Sequence, residues 1–251
     1  MVEKLAALFD SWGVKKALDQ LEFLLNPETL PNAIWETLYA PMLAAVFAYV
    51  IGLPLGVLLV TGEKGGIRPL PKILMRILNT VINLLRSVPF LILMVMVFPL
   101  SRMILGTAIG TTATIVPLTV AAAPYVARLV EGSLREMDRG VIEAAQAMGC
   151  STWQIIIKVM LPECKPSLIT GATNAAITIL GYGAMAGAIG GGGLGSMSLL
   201  RGHQRNQVIV LYVAVIILVI LVQILQSIGT ALAVRSDKRI NHENKKRRNK
   251  T

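Results

Sequence analysis

Long apolar runs without charge alternate with short charged segments along most of the chain. A bilayer core about 30 Å thick needs about 20 apolar residues in a helix that rises about 1.5 Å per residue. Runs of sufficient length cover residues 37–62, 103–127, 166–200 and 206–234. A shorter run, 87–101, crosses only with flanking turns, so Arg86 and Arg102 would extend toward the two interfaces. The pattern predicts five membrane-spanning helices, near residues 37–60, 83–101, 111–129, 167–189 and 207–233.

Composition excludes an ordinary soluble domain. Apolar residues make up 54% of the 251 positions and charged residues only 15%, whereas a typical soluble chain has about 25% charged residues. We therefore expect an all-α integral membrane protein. Cys150 and Cys164 are too few for a disulfide framework, and both are interpreted as reduced, structural thiols on the cytosolic side.

The basic residues predict the orientation of the spans. The chain has 24 Lys and Arg against 14 Asp and Glu, a net charge of +10. Five spans place the termini on opposite sides, and with the C-terminus inside, 18 basic residues face the cytoplasm and six face outward. Because Lys and Arg are enriched on the cytoplasmic side of membrane proteins, we expect the N-terminus outside and the C-terminus in the cytoplasm.

We expect residues 1–32 to form an extracytoplasmic segment before a five-helix domain of residues 33–235. They have no unbroken apolar core of the signal-peptide type, so we expect no cleaved signal. One helical face would carry four apolar side chains, Leu5, Leu8, Phe9 and Trp12. This pattern favours a short interfacial helix, with a loosely ordered segment as the alternative.

The chain ends in a basic tail, residues 236–251. From Arg235 onward it carries eight basic and two acidic residues. Such a run is typical of a solvated segment held near the anionic headgroups of membrane lipid. Nothing else in the sequence supports nucleic-acid binding, so we expect no nucleic-acid partner.

The segment between predicted spans three and four combines returning charge with short helical signals. Residues 141–148 are predicted to form one helix, and Gly149 is placed to end it in the left-handed conformation that glycine adopts easily. Ser151 and Gln154 form a capping-box pattern that begins a second helix, which closes near Pro162. The prediction is two short helices joined at a tight corner and exposed to the cytosol.

This loop, residues 138–165, resembles the signature of the permease subunits of ATP-binding-cassette importers. That signature reads Glu-Ala-Ala, three residues, Gly, nine residues, Ile, one residue, Leu-Pro. The corresponding positions here are Glu143, Ala144, Ala145, Gly149, Val159, Leu161 and Pro162. Only Val159 departs from the signature, replacing one β-branched residue with another.

The resemblance implies that the loop is a coupling helix that docks into a groove on a separate ATPase subunit. Residue chemistry agrees with docking, since Ala144, Ala145 and Gly149 would keep one face slim and Glu143 would offer a carboxylate to a basic partner. A packed cytoplasmic hairpin without a special role is the alternative. Arg86-Ser87-Val88-Pro89 also resembles a run common in these permeases, although an arginine ending a span is common in membrane helices generally.

Within that family, residues 181–195 are similar to the methionine type, and the similarity covers about residues 33–235. The resemblance implies a homodimer in the bacterial inner membrane that works with two ATPase copies and an extracytoplasmic substrate-binding lipoprotein. Transport would follow alternating access, with methionine as the expected solute. The alternatives are a permease for another amino acid or small polar solute, a secondary transporter or channel, and a membrane-anchored scaffold.

Small residues dominate the fourth predicted span. Gly183, Gly187 and Gly191 are spaced by four, which lets a neighbouring helix approach closely in lipid. Helix packing is the favoured interpretation, and a surface lining the pathway or facing a partner is the alternative. Asn174 and Met185 lie in the same uncharged span, which would not trap a zwitterion.

Sequence patterns for other chemistry are weak. No G-x-x-x-x-G-K-[ST] occurs, so ATP and Mg are expected in the partner ATPase and no catalysis in this chain. The glycines of 190–195 match G-x-G-x-x-G without the required strand, and a tight outer turn explains them better. His203 and His242 fall on opposite predicted sides, so no metal site is expected, and Asp138 and Glu143 have no histidine or nucleophile predicted nearby.

Overall fold

The computed structural model describes residues 13–237, which contain helices and no strand. The α-helices are α1 Val14–Leu25, α2 Thr29–Thr61, α3 Lys72–Ser87, α4 Phe90–Leu105, α5 Ile115–Arg135, α6 Arg139–Ala147, α7 Thr152–Gln154, α8 Leu161–Glu163, α9 Lys165–Ala186, α10 Gly193–Ser196 and α11 Val208–Ser236. Short 3-10 turns cover Thr112–Thr114 and Gly187–Ile189, and π-helical segments cover Ile155–Met160 and Met197–Gln204.

In the described part of the chain, four helices are long and apolar enough to cross a membrane, or five spans if a bent pair of helices counts as one, which confirms the predicted all-α architecture and is consistent with five spans. Four of them are single helices with their adjoining 3-10 turns: α2, α5, α9 and α11. The fifth is the pair α3 and α4, which is bent by 110°.

The second predicted span, 83–101, is wrong as a continuous helix. The chain breaks at Val88 and Pro89, where Val88 is extended with φ −77° and ψ 128°. Proline lacks an amide hydrogen, and its ring disfavours helical geometry at the preceding residue. Residues 83–87 therefore belong to α3, and α4 begins after the bend.

The other predicted spans are correct in position but differ at their ends. α2 begins at Thr29 instead of 37, and α5 continues to Arg135 instead of 129. Charged residues set the predicted boundaries, yet Glu36 and Glu131 lie within helices because protein groups satisfy their carboxylates. The α2 and α5 ends thus extend beyond the apolar runs.

The core of the bundle is the contact between α2 and α5. Ala44 and Ala48 of α2 are fully buried against this contact. A Cβ added at Gly52 would lie 2.7 Å from a Val126 methyl carbon. Small residues spaced by four let two helices approach closely where lipid supplies no hydrophobic driving force.

The bundle has two distinct ends. At the loop end, which carries residues 138–165, Arg135 at the end of α5 pairs with Glu63 just after α2 at 2.8 Å. At the opposite end, the Tyr39 hydroxyl lies 2.9 Å from the Thr112 hydroxyl. The ends of the helices are therefore tied together separately at the two membrane boundaries.

The apolar face predicted at Leu5, Leu8, Phe9 and Trp12 lies outside the described residues, as does most of the basic tail, including His242. The described chain begins with α1, and His203 lies at the same end of the bundle as α1, opposite the loop. Among residues 13–237, no group of three or more His, Cys, Asp or Glu is placed to hold a metal.

Candidate functional site

The loop between α5 and α9 folds into the predicted helical corner. Asp138 begins α6, and its carboxylate accepts a hydrogen bond of 2.8 Å from the Gly140 amide. α6 ends at Ala147, and Gly149 adopts φ +79°. A Cβ at Gly149 would meet nothing within 4 Å, so the backbone conformation rather than lack of space favours glycine.

The second arm of the corner begins with the predicted capping box. The Ser151 amide donates to Gln154 Oε1 at 2.9 Å, and the Gln154 amide donates to Ser151 Oγ at 3.4 Å. The arm then widens into the π-helical segment Ile155–Met160 and ends at Glu163, one residue after Pro162. The sequence pattern contained no signal for the π-helical segment.

The seven signature residues divide between two surfaces. Those packed inward are Ala145, which is 2% exposed, and the half-buried Val159 and Leu161. Those exposed at the surface are Glu143, Ala144, Gly149 and Pro162. The expectation that Ala145 belongs to a slim outward face is wrong, because α6 turns this methyl group into the core.

Two large apolar side chains flank the corner, and their exposure was not predicted from the sequence. Met148 is 76% exposed and Trp153 is 70% exposed. Apolar residues on short helices are expected to face inward, so their type alone suggested burial. We name Glu143, Ala144, Met148 and Trp153 the corner patch. Exposed Trp and Met in a charged loop are typical of a surface that binds another protein.

An ion network holds the base of the loop. Glu131 is only 8% exposed and accepts from Arg128 at 2.6 Å and from Arg135 at 2.9 Å. Arg135 also pairs with Glu63. Two arginines thus face two carboxylates, which compensates the charge that burial would otherwise penalise.

The same network reaches the helix before the bend. The Arg128 guanidinium donates to Asn79 Oδ1 at 2.8 Å and to Asn83 Oδ1 at 2.9 Å. Both asparagines lie on α3. Arg128 therefore connects α3 to α5 directly before the segment that leads into the loop.

The residues proposed for packing or the pathway also separate into two groups. A Cβ at Gly183 would lie 2.6 Å from the Pro41 ring, and one at Gly187 would overlap the Ser196 backbone. Both glycines therefore lie at packing contacts within the chain. Asn174 is exposed, and Met185 is 50% exposed, so these two side chains lie on a surface of α9 that faces outward.

An aromatic pair joins the bend to the C-terminal part of α9. The rings of Phe90 and Tyr182 stack with centroids 4.2 Å apart and planes 8° apart. Phe90 is the first residue of α4, directly after the break at Pro89. This contact could not be predicted from the sequence, because the two residues are far apart along the chain.

The glycine run after α9 closes the opposite end of the bundle. The Gly193 amide donates to Glu36 Oε2 at 2.7 Å, and the Leu194 amide donates to Thr37 Oγ1 at 2.8 Å. Gly192 and Gly193 adopt φ +72° and +69°, where a side chain would be strained. The predicted tight turn is instead a longer connection, since α10 and the π-helical segment 197–204 precede α11.

These features define a class: a five-span helical membrane protein that exposes a helical corner at one end of its bundle. The chain belongs to the family described as "Binding-protein-dependent transport system inner membrane component", whose model matches residues 52–242. The match includes the whole loop and all spans except the first part of α2. α1 precedes the matched region.

Individual relatives agree with this assignment. The chain is 48% identical to the "Probable D-methionine transport system permease protein MetI" of Vibrio cholerae, over 86% of this chain and 96% of the relative. It is 48% identical to the "D-methionine transport system permease protein MetI" of Escherichia coli (strain K12), over 63% of this chain and 72% of the relative.

Solved structures share the fold. A chain from the "MetNI methionine ABC transporter" in inward-facing conformations matches with a TM-score of 0.81 and 44% identity, over 83% of this chain and 96% of that one. A chain from an amino acid ABC transporter matches with a TM-score of 0.66 at 17% identity, which shows the fold alone.

Proposed function

We propose that this chain is the membrane-spanning permease subunit of an ATP-binding-cassette importer for methionine. The observation that carries the proposal is the similarity to relatives named D-methionine permeases, which reaches 48% identity over 86% of the chain. The exposed corner supports it, because an importer permease without its own ATPase needs a surface that receives force from a partner. We assign no catalytic role to the chain.

The corner patch is the proposed contact with the ATPase, of which two copies would serve a permease homodimer. Met148 and Trp153 offer apolar anchors, and Glu143 offers a charge that a basic partner residue can pair with. ATP and Mg would be bound by the ATPase. The inward-packed Ala145, Val159 and Leu161 connect the patch to the bundle. Movement of the loop would therefore be transmitted to the membrane-spanning helices.

The ion network then serves as the connection between loop and helices. Arg135 precedes the loop directly, and its partners lie on α5 and after α2. Motion of the loop must therefore move or break these pairs. Such exchange of interface pairs is a common element of switching between two conformations.

Solute specificity would reside in a separate extracytoplasmic lipoprotein. The exposed face of α9 with Asn174 and Met185 carries no charge between Lys165 and Ile189, so it would release a zwitterion rather than trap it. In a homodimer this face would meet its copy or line the path. The side on which the lipoprotein binds would be the opposite end, with the N-terminus outside and the C-terminus in the cytoplasm.

The test is uptake of labelled methionine into vesicles that contain this chain with its ATPase and lipoprotein. We expect uptake that requires ATP and disappears with a hydrolysis-deficient ATPase. Preferential uptake of histidine or arginine would assign the chain to another amino acid. Uptake that persists without any ATPase would favour a channel or secondary transporter and contradict the importer class.

A further inference from the structure

The N-terminal helix α1 has three different faces. Its buried face carries Gln20 and Leu24, which are 5% and 6% exposed. A second face is polar and exposed, with Lys15, Asp19 and Glu22. The third is apolar and exposed, with Leu18 at 59%, Leu21 at 43% and Leu25 at 79%. A helix that only packed on protein and met water would need two faces.

The buried face sets the height of α1 relative to the spans. Gln20 Oε1 accepts a hydrogen bond of 2.9 Å from the amide of Ile209, the second residue of α11. The Arg201 guanidinium carbon lies 3.8 Å from the centroid of the Phe23 ring. α1 is therefore attached at the first turn of a membrane-spanning helix, at the end opposite the loop.

Aromatic residues mark the membrane boundary at the same height. Trp35 in the second turn of α2 is 66% exposed, and Tyr212 in the second turn of α11 is 62% exposed. Trp and Tyr concentrate where the hydrocarbon core meets the headgroups. The exposed apolar surface of α11 continues there through Val208, which is 49% exposed.

We propose that α1 is an interfacial anchor, with Leu18, Leu21 and Leu25 inserted among phospholipids at the end of the bundle opposite the loop. The three faces then meet protein, water and lipid in turn, as an interfacial amphipathic helix requires. Lipid is the occupant because α1 is attached at the first turn of α11, a membrane-spanning helix whose exposed apolar residues begin at Val208. α1 lies before residue 52, where the family match begins, and the anchor goes beyond the proposed transport function.

The anchor should depend on apolar burial rather than on lipid charge. The exposed charges of α1 are balanced, since Lys15 and Lys16 accompany Asp19 and Glu22. Attraction to anionic headgroups requires an excess of basic residues. Depth in the membrane should therefore be the same in neutral and in anionic bilayers.

Nitroxide scanning of the full-length chain in phospholipid vesicles tests the proposal. Single cysteines replace Leu18, Leu21 and Leu25 and, as matched controls on the same helix, Asp19 and Glu22, in a background with Cys150→Ser and Cys164→Ala. Collision rates with oxygen, which concentrates in lipid, and with a nickel chelate, which stays in water, are measured at each site. All five sites are exposed, so each can carry a label at the surface of the helix.

Oxygen collisions should exceed nickel collisions several-fold at the three leucine sites, and the ratio should reverse at the two controls. High nickel collision rates at all five sites would place the leucines in water and overturn the anchor. Low rates of both kinds at the leucine sites would show a covering protein surface and also overturn it. High oxygen collision rates at the leucine sites only in vesicles that contain phosphatidylglycerol, and not in phosphatidylcholine alone, would contradict insertion by apolar burial. None of these outcomes depends on the transported solute or on the ATPase.

Discussion

The two ends of the bundle are held by contacts of different kinds. At the end opposite the loop, backbone amides of the glycine run contact Glu36 and Thr37, and Thr37 is 5% exposed. At the loop end, long charged side chains make the connections, and Arg135 and Glu63 are about half exposed. Close backbone contact permits little sliding, whereas exposed ion pairs can exchange partners with water.

The difference indicates which end is built to change. The end opposite the loop is closed by groups that lose their hydrogen bonds if the helices separate, and buried polar groups without partners are costly. The loop end exposes Met148 and Trp153 and keeps its links on flexible side chains. The end opposite the loop is therefore expected to stay closed. The loop end is expected to move when a partner binds.

The largest expected effect comes from the packed end. In Gly187→Ala, the added Cβ overlaps the backbone of Ser196, which cannot shift without moving α10. Overpacking of this kind costs about 3 kcal/mol of folding free energy. The matched control is Gly181→Ala in the preceding α9, where a Cβ meets nothing within 4 Å. Denaturation in detergent should show a lower midpoint for the first variant only, and equal midpoints would contradict the close contact.

Loss of the central carboxylate at the loop end should have a somewhat smaller effect. Glu131→Ala leaves Arg128 and Arg135 without their shared partner. Breaking a buried pair costs about 3–5 kcal/mol, and the half-exposed Arg135 lowers our expectation to about 2–3 kcal/mol. Glu63→Gln, which removes only an exposed partner, should cost less than about 1 kcal/mol. The same unfolding measurement applies, and similar losses in both variants would remove the distinction between buried and exposed pairs.

The corner patch should affect coupling and leave folding unchanged. Trp153→Ala removes an exposed anchor, so association with the ATPase should weaken about 30-fold, equivalent to about 2 kcal/mol for an interface hot spot. Ile157→Ala, at a 43% exposed position in the same arm, is the control with a smaller loss. Pull-down of the ATPase and ATP-driven uptake at equal membrane abundance are the measurements. Unchanged binding and uptake would leave the patch without a docking role.

The turn itself should contribute less. Gly149→Ala keeps the surface open but places a Cβ on a residue at φ +79°, which costs about 1 kcal/mol. Gly149→Trp adds a large side chain at the same strained backbone position. Glu143→Lys reverses the charge of the corner patch without straining the backbone. If docking requires close approach of the corner to the ATPase, the Gly149→Trp variant should lose uptake, whereas the Gly149→Ala variant should only show reduced uptake. Equal uptake by the Ala and Trp variants would mean that the corner does not approach the partner closely.

The smallest effect is a difference in thiol reactivity. Cys164 is 6% exposed. The pKa of its thiol is raised mainly by burial and, to a smaller extent, by the nearby carboxylates of Glu136 and Glu163. Cys150 is half-buried. Because the thiolate is the reactive form, a maleimide should label Cys150 first at pH 7, and labelling of Cys164 should accelerate as the pH rises above the ordinary thiol range. Single-cysteine variants followed by mass spectrometry measure both rates.

The same thiols also test the orientation. With the loop in the cytoplasm, an impermeant reagent should label Cys150 only in opened cells. Labelling in intact cells would reverse the proposed topology. Cys150 is the informative site, because the buried Cys164 would react slowly from either side.

Features that depend on neighbouring residues or on the bilayer could be predicted from the amino-acid sequence. Apolar run length predicts five spans, since the thickness of the hydrocarbon core sets the number of residues required. The glycine corner and the capping box of Ser151 and Gln154 were also predictable, because a positive φ and an N-cap are satisfied within a few residues. The signature positions were located through the resemblance to the loop of importer permeases, which is read from contiguous residues.

Which side each residue faces, and what lies opposite it, depends on how the helices pack. Glu36 meets Gly193 across 157 residues, and Phe90 meets Tyr182 across the bundle. No local periodicity contains such pairs, because they arise only when helices pack. The inward turn of Ala145 and the exposure of Met148 and Trp153 follow from how α6 and the second arm rest on the core. Hydrophobicity shows that a residue prefers to be buried, but only packing determines whether the chain, the lipid or a partner covers it.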